Sequence, residues 1–579
     1  MRSRKYETLK TVYAEGIDKL CPLSEYPRPS LRRDSYLCLN GEWDFSVTKK
    51  GETPKGYGER ILVPFPHESL LSGLEGSHTP GEVLNYKRSF SLPEGFQRAR
   101  TILHFGAVDQ IATVYLNGRE LMTHEGGYLP FSIDITDALF EGVNVLSVTV
   151  SDDLDLMLPY GKQTKKRGGM WYTPASGIWQ TVWIESVPEN YIEKIRITPS
   201  QNSVTLTVFG GTENKRLTLT ESGECFDFSG NEITFSPKTI KNWTPEEPYL
   251  YEFTLESGED RIESYFALRT VDIREICGVR RICLNGKPYL FNGLLDQGYF
   301  PDGIFTPASY KAYEDDIRLA KSLGFNMLRK HIKTEPEIFY YLCDRLGIAV
   351  FQDMVNNFEY SFIRDTALPT IGLKRLSDKN LHKNERGRRI FREQMKKTFD
   401  HLYNFPSIVY YTVFNEGWGQ FLADENYGLA KELDKTRVID ATSGWFWQKE
   451  SDVDSYHIYF KKAKIEDFSS RAVVLSEFGG YSCRIEGHLF GKENYGYSMC
   501  KTEGEFEKAL IKLYREEIIP LARRGISSLV YTQISDIEDE TNGFITYDRK
   551  HLKVNPENVL SVMRELYCAS SEKSASVTE

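Results

Sequence analysis

The sequence predicts a multidomain protein with α and β structure, in which two β-sandwich domains precede a C-terminal (β/α)8 barrel (TIM barrel). Three observations support this prediction. The chain of 579 residues is too long for one hydrophobic core. Much of residues 35–275 alternates apolar and polar side chains with a period of two, as half-buried strands do. From about residue 276, strand-like and helical segments alternate instead.

The first two predicted domains, residues 1–190 and 191–275, are both β-sandwiches. In the first, an Asn117-Gly118 dipeptide separates two strand-like runs within 112–121, which is a strong hairpin signal. In the second, four clear strand-like segments within about 85 residues are enough for a small seven-stranded sandwich.

The third predicted domain, residues 276–579, has the pattern of a (β/α)8 barrel, with helical sequence after most of its strands. One helix is expected to begin at Pro336 and end at Gly347. Two long connections, 354–384 and 480–502, would lie at the carboxyl ends of the strands and could wall a substrate pocket. The eight predicted strands are 287–293, 325–331, 347–353, 408–416, 437–444, 453–459, 472–480 and 527–535.

Composition and charge narrow the range of partners. The net charge of −10 argues against nucleic acid and against a membrane surface, because phosphate binding needs a basic face. The basic cluster 165–167 is interpreted as a solvated loop. The chain lacks a signal peptide and a long apolar run, so we expect a cytoplasmic protein. The nine scattered cysteines fit neither a zinc site nor a disulfide framework. We expect no metal ion at the functional site and no cofactor, and a structural metal ion is left open. A homo-oligomer is left open.

Two glutamates end predicted barrel strands. Glu416 ends the fourth strand in FNEGWG (414–419), and Glu477 ends the seventh in LSEFGG (475–480). These strands are nearly opposite in an eight-stranded barrel, so the two side chains are expected to converge across its mouth. A single such glutamate is more often a surface acid. Two facing carboxylates, however, are what cleavage of a glycosidic bond needs, one to protonate the leaving oxygen and one to meet the positive carbon.

These motifs, on a barrel preceded by two sandwiches, resemble glycoside hydrolase family 2, which includes β-galactosidases, β-glucuronidases and β-mannosidases. The resemblance covers nearly the whole chain. Segments 26–45, 103–118 and 176–185 resemble the family's N-terminal jelly-roll sugar-binding domain. Segment 242–255 resembles its immunoglobulin-like domain, and 268–274 the transition into the barrel. The resemblance implies a jelly-roll β-sandwich, an immunoglobulin-like β-sandwich and a TIM barrel, in this order.

The resemblance also implies the roles of three residues. Glu416 would be the acid/base, and Glu477 the nucleophile that forms a covalent glycosyl-enzyme, so that the anomeric configuration is retained. Asn415 would hydrogen-bond the 2-hydroxyl of the sugar, a contact that strengthens in the transition state. The pKa of Glu416 should fall once the charge on Glu477 is consumed, which lets Glu416 activate water.

Further candidates bind the substrate or orient the glutamates. Arg329 is expected to keep Glu477 ionised by charge pairing, with a structural barrel ion pair as the alternative. Tyr459 lies near the position where the family places a tyrosine that donates to the nucleophile. One of Trp418, Trp445 and Trp447 is expected to form an aromatic platform under the sugar, with core packing as the alternative for each. His457 is the alternative to Tyr459 near the nucleophile. His331 and Asp353 are candidates for contacts to sugar hydroxyls, with a structural role as the alternative for His331.

Two departures from the family pattern bear on the sugar. Family β-glucuronidases carry an Asn-x-Lys motif for the substrate carboxylate, whereas no lysine lies two positions after Asn542. In one galactosidase branch an acidic residue precedes the SGI motif, but 167–178 contains none. Trp171 or Tyr172 is expected to shape the pocket instead.

The resemblance therefore implies a retaining, exo-acting β-glycosidase that removes terminal sugars from oligosaccharides or glycosides. β-Galactosidase is the first substrate hypothesis, and α-L-arabinofuranosidase or β-glucuronidase are the alternatives. Outside this class, the chain would be a carbohydrate-binding protein that has lost catalysis. A metal-dependent barrel hydrolase would be built from His331, Asp353, His457 and Glu477, but it would lack the H-x-H start that is usual in such barrels.

Overall fold

Two β-sandwiches precede a barrel of eight parallel strands in the computed structural model, which describes residues 9–374, 376–468 and 470–575. This order confirms the predicted architecture. No helix among the described residues is both long and apolar enough to cross a membrane. The boundaries at 190 and 275 remain predictions.

The first sandwich packs a six-stranded antiparallel sheet against a four-stranded one around an apolar core. Burial alternates along Val143–Ser151, as a period of two predicts. Asn117 and Gly118 both have positive φ angles, which a two-residue type I′ hairpin requires. In spatial order, the larger sheet contains Glu59–Val63, Gly41–Lys49, Glu82–Ser91, Val143–Ser151, Ile111–Leu116 and Arg119–Glu125. The smaller contains Leu37–Cys38, Val182–Val187, Arg100–Phe105 and Phe131–Asp134, while Val108–Asp109 pairs with Gly177–Ile178.

The second sandwich has the seven strands that the sequence predicts, all within residues 192–266. Its core includes Ile195 and Leu206 from one sheet and Leu217 and Phe253 from the other. The three-stranded sheet contains Ile192–Pro199, Val204–Gly210 and Glu232–Phe235. The four-stranded sheet contains Cys225–Ser229, Asn214–Leu219, Tyr251–Ser257 and Asp260–Phe266.

The eight barrel strands, numbered β1 to β8 in chain order, are Phe291–Asp296 (β1), Met327–Lys330 (β2), Ala349–Asp353 (β3), Ile408–Asn415 (β4), Val438–Ser443 (β5), Val453–Ile458 (β6), Ala472–Gly479 (β7) and Ser528–Thr532 (β8). Neighbouring strands pair in parallel in the spatial order β5, β4, β3, β2, β1, β8, β7, β6. Strands β5 and β6, at the two ends of this order, also lie side by side, as the hydrogen bond from the Ser455 hydroxyl to the Thr442 carbonyl at 3.2 Å shows.

Helices follow most of these strands, although the described residues of the connections after β5 and β6 form none. Glu337–Leu346 begins after Pro336 and ends before Gly347, which has a φ of 74°, as the sequence predicts. The barrel helices are Lys311–Ser322, Glu337–Leu346, Phe362–Ala367 (a π-helix), Leu368–Thr370, Glu385–Leu402, Ala423–Leu433, Glu503–Leu513, Tyr514–Ile518 (a π-helix), Ile519–Arg524 and Pro556–Ala575. Two short strands, Tyr481–Cys483 and Ser498–Cys500, pair after β7.

The predicted first barrel strand, 287–293, was placed too early. Lys287–Pro288 instead pairs with the end of Val279–Leu284, which forms a hairpin with Val271–Ile276. The hairpin buries its apolar side chains with Phe291 of β1 and Met327 of β2. It therefore closes the amino-terminal end of the barrel.

A long loop of the first sandwich, residues 152–176, reaches the opposite end of the barrel. The Tyr160 hydroxyl donates to the Phe358 carbonyl at 2.7 Å, and the Thr173 amide donates to Glu538 at 2.9 Å. The basic cluster 165–167 is consequently not a wholly solvated loop. Arg167 is half-buried and pairs with Glu538 at 3.1 Å, so the prediction was wrong at this residue.

Candidate active site

Glu416 and Glu477 both lie at the carboxyl end of the barrel and are both buried. Glu416 directly follows the last residue of β4 and has a φ of 53°, a backbone conformation uncommon for residues other than glycine. Gly417, at a φ of 76°, leaves room for the Phe446 ring, which would lie 2.3 Å from an added Cβ. Glu477 is part of β7. Their positions at the ends of β4 and β7 turn both side chains into the barrel mouth.

The two carboxylates lie close together around a histidine. One carboxylate oxygen of Glu416, one of Glu477 and a ring nitrogen of His457 are all within 4.8 Å of one another. His457 Nδ1 is 2.7 Å from Glu416 and 3.5 Å from Glu477. Burial raises the pKa of Glu416 to about 7, against the opposing charges of Lys162 and Arg329. Burial also raises the pKa of Glu477, and the charge of Arg329 opposes that rise.

Arg329 orders three of the predicted site residues at once. Its guanidinium donates to Glu477 at 3.1 Å, to Asp353 at 3.0 Å and to the side-chain oxygen of Asn415 at 2.8 Å. The last bond fixes the orientation of the Asn415 amide. Within the described residues, the buried Nδ2 of Asn415 has no hydrogen-bond partner. A buried donor without a partner is uncommon and is available to an acceptor atom of a ligand.

The hydrogen bonds of His457 determine where its proton lies. Burial lowers the pKa of His457 to about 3, so the ring is neutral. The Ser476 hydroxyl donates to the Tyr456 carbonyl, and the Ser443 hydroxyl donates to Ser476 at 3.0 Å. Ser443 is therefore the acceptor from His457 Nε2, 3.1 Å away. Nδ1 then carries no proton and accepts the hydrogen bond from a protonated Glu416.

Tyr459 and His331 support the site in different ways. The Tyr459 hydroxyl donates to Glu477, and its ring stacks on Tyr497 with centroids 3.7 Å apart. His331 Nδ1 lies 2.7 Å from Asp353. Burial lowers the pKa of His331 to about 3, so this ring is also neutral. Asp353 is almost fully buried behind Arg329 and His331, where its oxygens hold those two side chains.

The tryptophans occupy different positions. Trp445 donates its indole N–H to the Glu416 carbonyl at 3.0 Å. Trp418 is buried and stacks on Trp171 of the 152–176 loop, with centroids 5.5 Å apart. Trp447 donates to the Ser455 carbonyl at 2.9 Å and packs against Tyr456.

The metal-hydrolase alternative finds no support in this geometry. His331 and Asp353 pair with each other, while His457 groups with the two glutamates. Among the described residues, the four side chains of that alternative do not form one ligand group.

The sequence does not predict two residues of the site, Lys162 and Glu540. Lys162, from the 152–176 loop, is buried with its ammonium 5.4 Å from the centre of the Trp418 ring. Glu540 follows β8 and accepts hydrogen bonds from Gln533 at 2.8 Å and Gln297 at 3.5 Å. The positive charge of Lys162 acts on both Glu416 and Glu540. Neither residue lies in a periodic segment or in a motif that would mark it.

Comparisons with known proteins agree with this architecture. The family described as "Glycosyl hydrolase 2 galactose-binding domain-like" matches residues 79–184, and "Glycosyl hydrolases family 2, TIM barrel domain" matches residues 276–522. A β-galactosidase of Thermoanaerobacter pseudethanolicus is 25% identical over 449 residues, which cover 71% of this chain and 54% of that relative. The chain thus spans about half the length of this curated relative.

Solved structures show the same fold. A β-D-glucuronidase of Dictyoglomus thermophilum superposes with a TM-score of 0.73 at 18% identity, covering 93% of this chain and 98% of the other. A β-galacturonidase of Eisenbergiella tayi, bound to galacturonate, superposes with a TM-score of 0.68 at 19% identity, covering 94% and 99%. The two family models together match more than half of the chain, and the fold agrees with them. The chain therefore belongs to glycoside hydrolase family 2.

Proposed function

We propose that the chain is a retaining, exo-acting β-glycosidase, with terminal galactose as the first substrate hypothesis. The observation that carries the proposal is the pair of buried carboxylates, Glu416 and Glu477, whose oxygens approach within 4.8 Å. Retaining glycosidases need about 5 Å between their carboxyl groups, whereas inverting ones need roughly 6.5–9.5 Å to admit a water.

In the first step, Glu477 attacks the anomeric carbon while the bond to the leaving oxygen breaks. Glu416 transfers its proton to that oxygen, so the aglycone leaves as a neutral alcohol. The raised pKa of Glu416 and the hydrogen bond to His457 Nδ1 support a protonated resting state. Arg329 and Tyr459 bond to Glu477 and favour its ionised form.

In the second step, Glu416 is ionised and takes a proton from water as the water attacks the glycosyl-enzyme. Glu477 leaves as a carboxylate, and the sugar is released with its original anomeric configuration. While Glu477 is esterified it carries no charge, which lowers the pKa of Glu416 and favours its role as a base. Asn415 Nδ2 supplies the contact to the sugar 2-hydroxyl in both steps.

The stereochemistry of the product tests this proposal directly. A panel of nitrophenyl glycosides identifies the sugar, and proton NMR of the fresh product then shows which anomer forms first. We expect the β-anomer from a β-glycoside. Initial formation of the α-anomer would contradict the retaining mechanism, and a lack of turnover across the panel would contradict the enzyme assignment.

A second candidate, a β-glycosidase for sugars that carry a carboxylate, is favoured by Lys162. Lys162 is buried, with its ammonium 5.7 Å from the centre of the Tyr172 ring and 5.4 Å from that of the Trp418 ring, and its charge acts on Glu416. An ammonium in this position can bind a substrate carboxylate by a charge-assisted hydrogen bond. Lys162 would then replace the lysine that is missing after Asn542, whose amide oxygen instead accepts from Gln533 at 2.8 Å.

Lys162→Met separates the two candidates. If the substrate is a uronide, we expect the variant to lose at least about tenfold in kcat/KM on glucuronides or galacturonides. Its activity on neutral galactosides would change little. An equal loss on charged and neutral sugars would instead assign Lys162 to the structure of the pocket wall.

A further inference from the structure

The first sandwich contains a buried group of metal-ligating side chains that the proposed reaction does not use. His67, Glu68 and His78 each place one possible ligand atom within 4.8 Å of the other two. His67 is 3% exposed, and the side chains of Glu68 and His78 are 8% and 5% exposed. The group lies in the connection between the strands Glu59–Val63 and Glu82–Ser91.

The backbone of this connection brings the two histidines together. The Gly76 amide donates to the His67 carbonyl at 2.9 Å, which closes residues 67–76 into a loop just before His78. Gly76 also leaves room for the His67 ring, since an added Cβ would lie 1.9 Å from Nε2. The fold of the segment therefore sets the distance between the two rings.

The hydrogen bonds of His78 turn a lone pair toward Glu68. His78 Nε2 is 2.7 Å from the Asp152 carbonyl oxygen, which can only accept, so Nε2 carries the proton. Burial favours the neutral ring, and Nδ1 then has a lone pair that faces Glu68 Oε1 at 3.6 Å, too far for a hydrogen bond. Within the described residues, the buried Nδ1 atoms of His78 and His67 have no hydrogen-bond partner.

An acceptor nitrogen that faces a carboxylate oxygen is unfavourable unless a cation lies between them, because both atoms carry negative partial charge. A shared proton would draw Nδ1 and Oε1 to hydrogen-bond distance, whereas a metal ion bound to both atoms holds them further apart. The separation of 3.6 Å fits the metal ion better than the proton.

Glu68 is oriented in the same way as His78, by a hydrogen bond on its other ligand atom. The Ser176 amide donates to Glu68 Oε2 at 2.9 Å, and the His67 amide donates to the Ser176 carbonyl at 3.2 Å. Metal-binding carboxylates and imidazoles are typically held by such bonds on the atoms that do not bind the metal. The ligand atoms are thus positioned before an ion binds.

We propose that His67, Glu68 and His78 bind a Zn²⁺ ion. Two neutral imidazole nitrogens and one carboxylate oxygen are a ligand set that zinc takes, whereas Mg²⁺ and Ca²⁺ prefer oxygen ligands. Ligand atoms of tetrahedral zinc lie about 3.3 Å apart, so no pair here has to close by more than about 1.5 Å. A cavity of about 350 Å³ borders Glu68 and His78 and has room for water as the fourth ligand.

Zinc at this position fastens the base of the 152–176 loop. Asp152 and Ser176, which bond to His78 and Glu68, are the first and last residues of that loop. The ion therefore acts as a structural tie beneath the segment that carries Lys162 to the barrel. Its binding does not depend on the reaction proposed for the barrel.

The test uses the full chain, stripped of metal by a chelator and titrated with ZnSO₄ in a calorimeter. Glu68→Gln and His78→Gln each remove one ligand, and the glutamine at 68 keeps an acceptor for the Ser176 amide. The matched control is His124→Gln, at a half-buried histidine of the same sandwich whose Nε2 also has no partner among the described residues.

A second control addresses the other candidate ligand group, Glu416, His457 and Glu477. Glu416→Gln removes one ligand there and leaves the first sandwich intact. X-ray absorption of the wild type with one equivalent of zinc then counts imidazole ligands without any variant, so the test does not depend on the folding of a variant. The barrel group contains one histidine, whereas the proposed site contains two.

We expect one tightly bound zinc in the wild type, retained with equal affinity by His124→Gln and Glu416→Gln. Glu68→Gln and His78→Gln should each lose at least about hundredfold in affinity. The absorption spectrum should show two imidazoles. A spectrum with one imidazole, a dissociation constant above about 10 μM for the wild type, or loss of zinc in Glu416→Gln but not in Glu68→Gln would overturn the inference.

Discussion

The two ends of the barrel use the same strands but opposite kinds of side chain. At the amino-terminal end, Met327 of β2 and Ala472 of β7 are buried in an apolar cluster with the 271–284 hairpin. Further along the same strands, Arg329 and Glu477 form a buried ion pair at 3.1 Å. The charged side chain lies two positions after Met327 in β2 and five positions after Ala472 in β7.

This difference separates stability from chemistry. Apolar burial at the closed end contributes favourably to folding. Buried charges at the open end carry a desolvation cost that their pairing only partly offsets, and the unpartnered Nδ2 of Asn415 adds to that cost. Substitutions at the two ends should therefore act on different measurements, which the following predictions test.

The largest effect is expected at the open end, from Glu477→Ala. Without the proposed nucleophile no glycosyl-enzyme can form, so kcat should fall by at least about 10⁴-fold, equivalent to roughly 5.5 kcal/mol. The melting temperature of the variant should stay close to that of the wild type, although its kcat falls. Glu393→Ala, at an exposed helix position, is the control and should retain full activity. Near-normal turnover by Glu477→Ala would refute the assignment of the nucleophile.

Glu416→Ala is expected to show a loss that depends on the leaving group. Substrates with poor leaving groups need the proton and should slow by about 10²–10⁴-fold, while the first step on dinitrophenyl glycosides should be spared. Azide should rescue the second step on those activated substrates, giving a β-glycosyl azide detectable by NMR. A uniform loss without rescue would argue against an acid/base role.

At the closed end, Leu284→Ala should act on folding instead. Leu284 is buried in the cluster with β1 and β2, so its truncation should lower the free energy of unfolding by about 2–5 kcal/mol. The kcat of the folded fraction should remain unchanged. A large fall in kcat at full folding would break the separation between the two ends.

The smallest effect is expected from His457→Phe, and the direction of the resulting pH shift is what tests the prediction. In the proposed mechanism protonated Glu416 is the active acid, so activity on poor leaving groups should fall as the pH rises through about 7, the pKa of Glu416. Because His457 accepts from the protonated form, its removal should lower that pKa and move the alkaline limb by about one unit to lower pH. Other charged or titratable groups that act on Glu416 are Glu477, Arg329, Lys162, Lys374 and Asp365.

The direction of the shift distinguishes the roles of His457. A shift to higher pH would mean that His457 donates to an ionised Glu416. A lower rate with an unmoved limb would mean that the ring only fills space.

Local patterns in the sequence predicted much of the fold and the centre of the site. Glu416 and Glu477 were found because each ends a long apolar strand, and the helix 337–346 because Pro336 and Gly347 bracket it. The first barrel strand was misplaced because an apolar run across 287–293 does not reveal that Lys287 and Pro288 pair with a different sheet.

Contacts between distant segments could not be predicted in this way. Lys162 lies more than 250 residues before Glu416 in the chain, and no local pattern shows that the 152–176 loop reaches the barrel. Trp445 and Trp447 are two positions apart in an irregular loop, where no periodicity tells which indole faces Glu416.

The reach of the 152–176 loop has a consequence for protein engineering. Three residues of the first sandwich, Lys162, Trp171 and Tyr172, contact the barrel residues Trp418 and Gln297. The barrel alone therefore does not form the complete pocket. Cutting the gene at the domain junction would remove part of the wall of the proposed sugar site. Chimaeras between relatives should accordingly inherit substrate choice from their N-terminal parent as well as from the parent that supplies the glutamates.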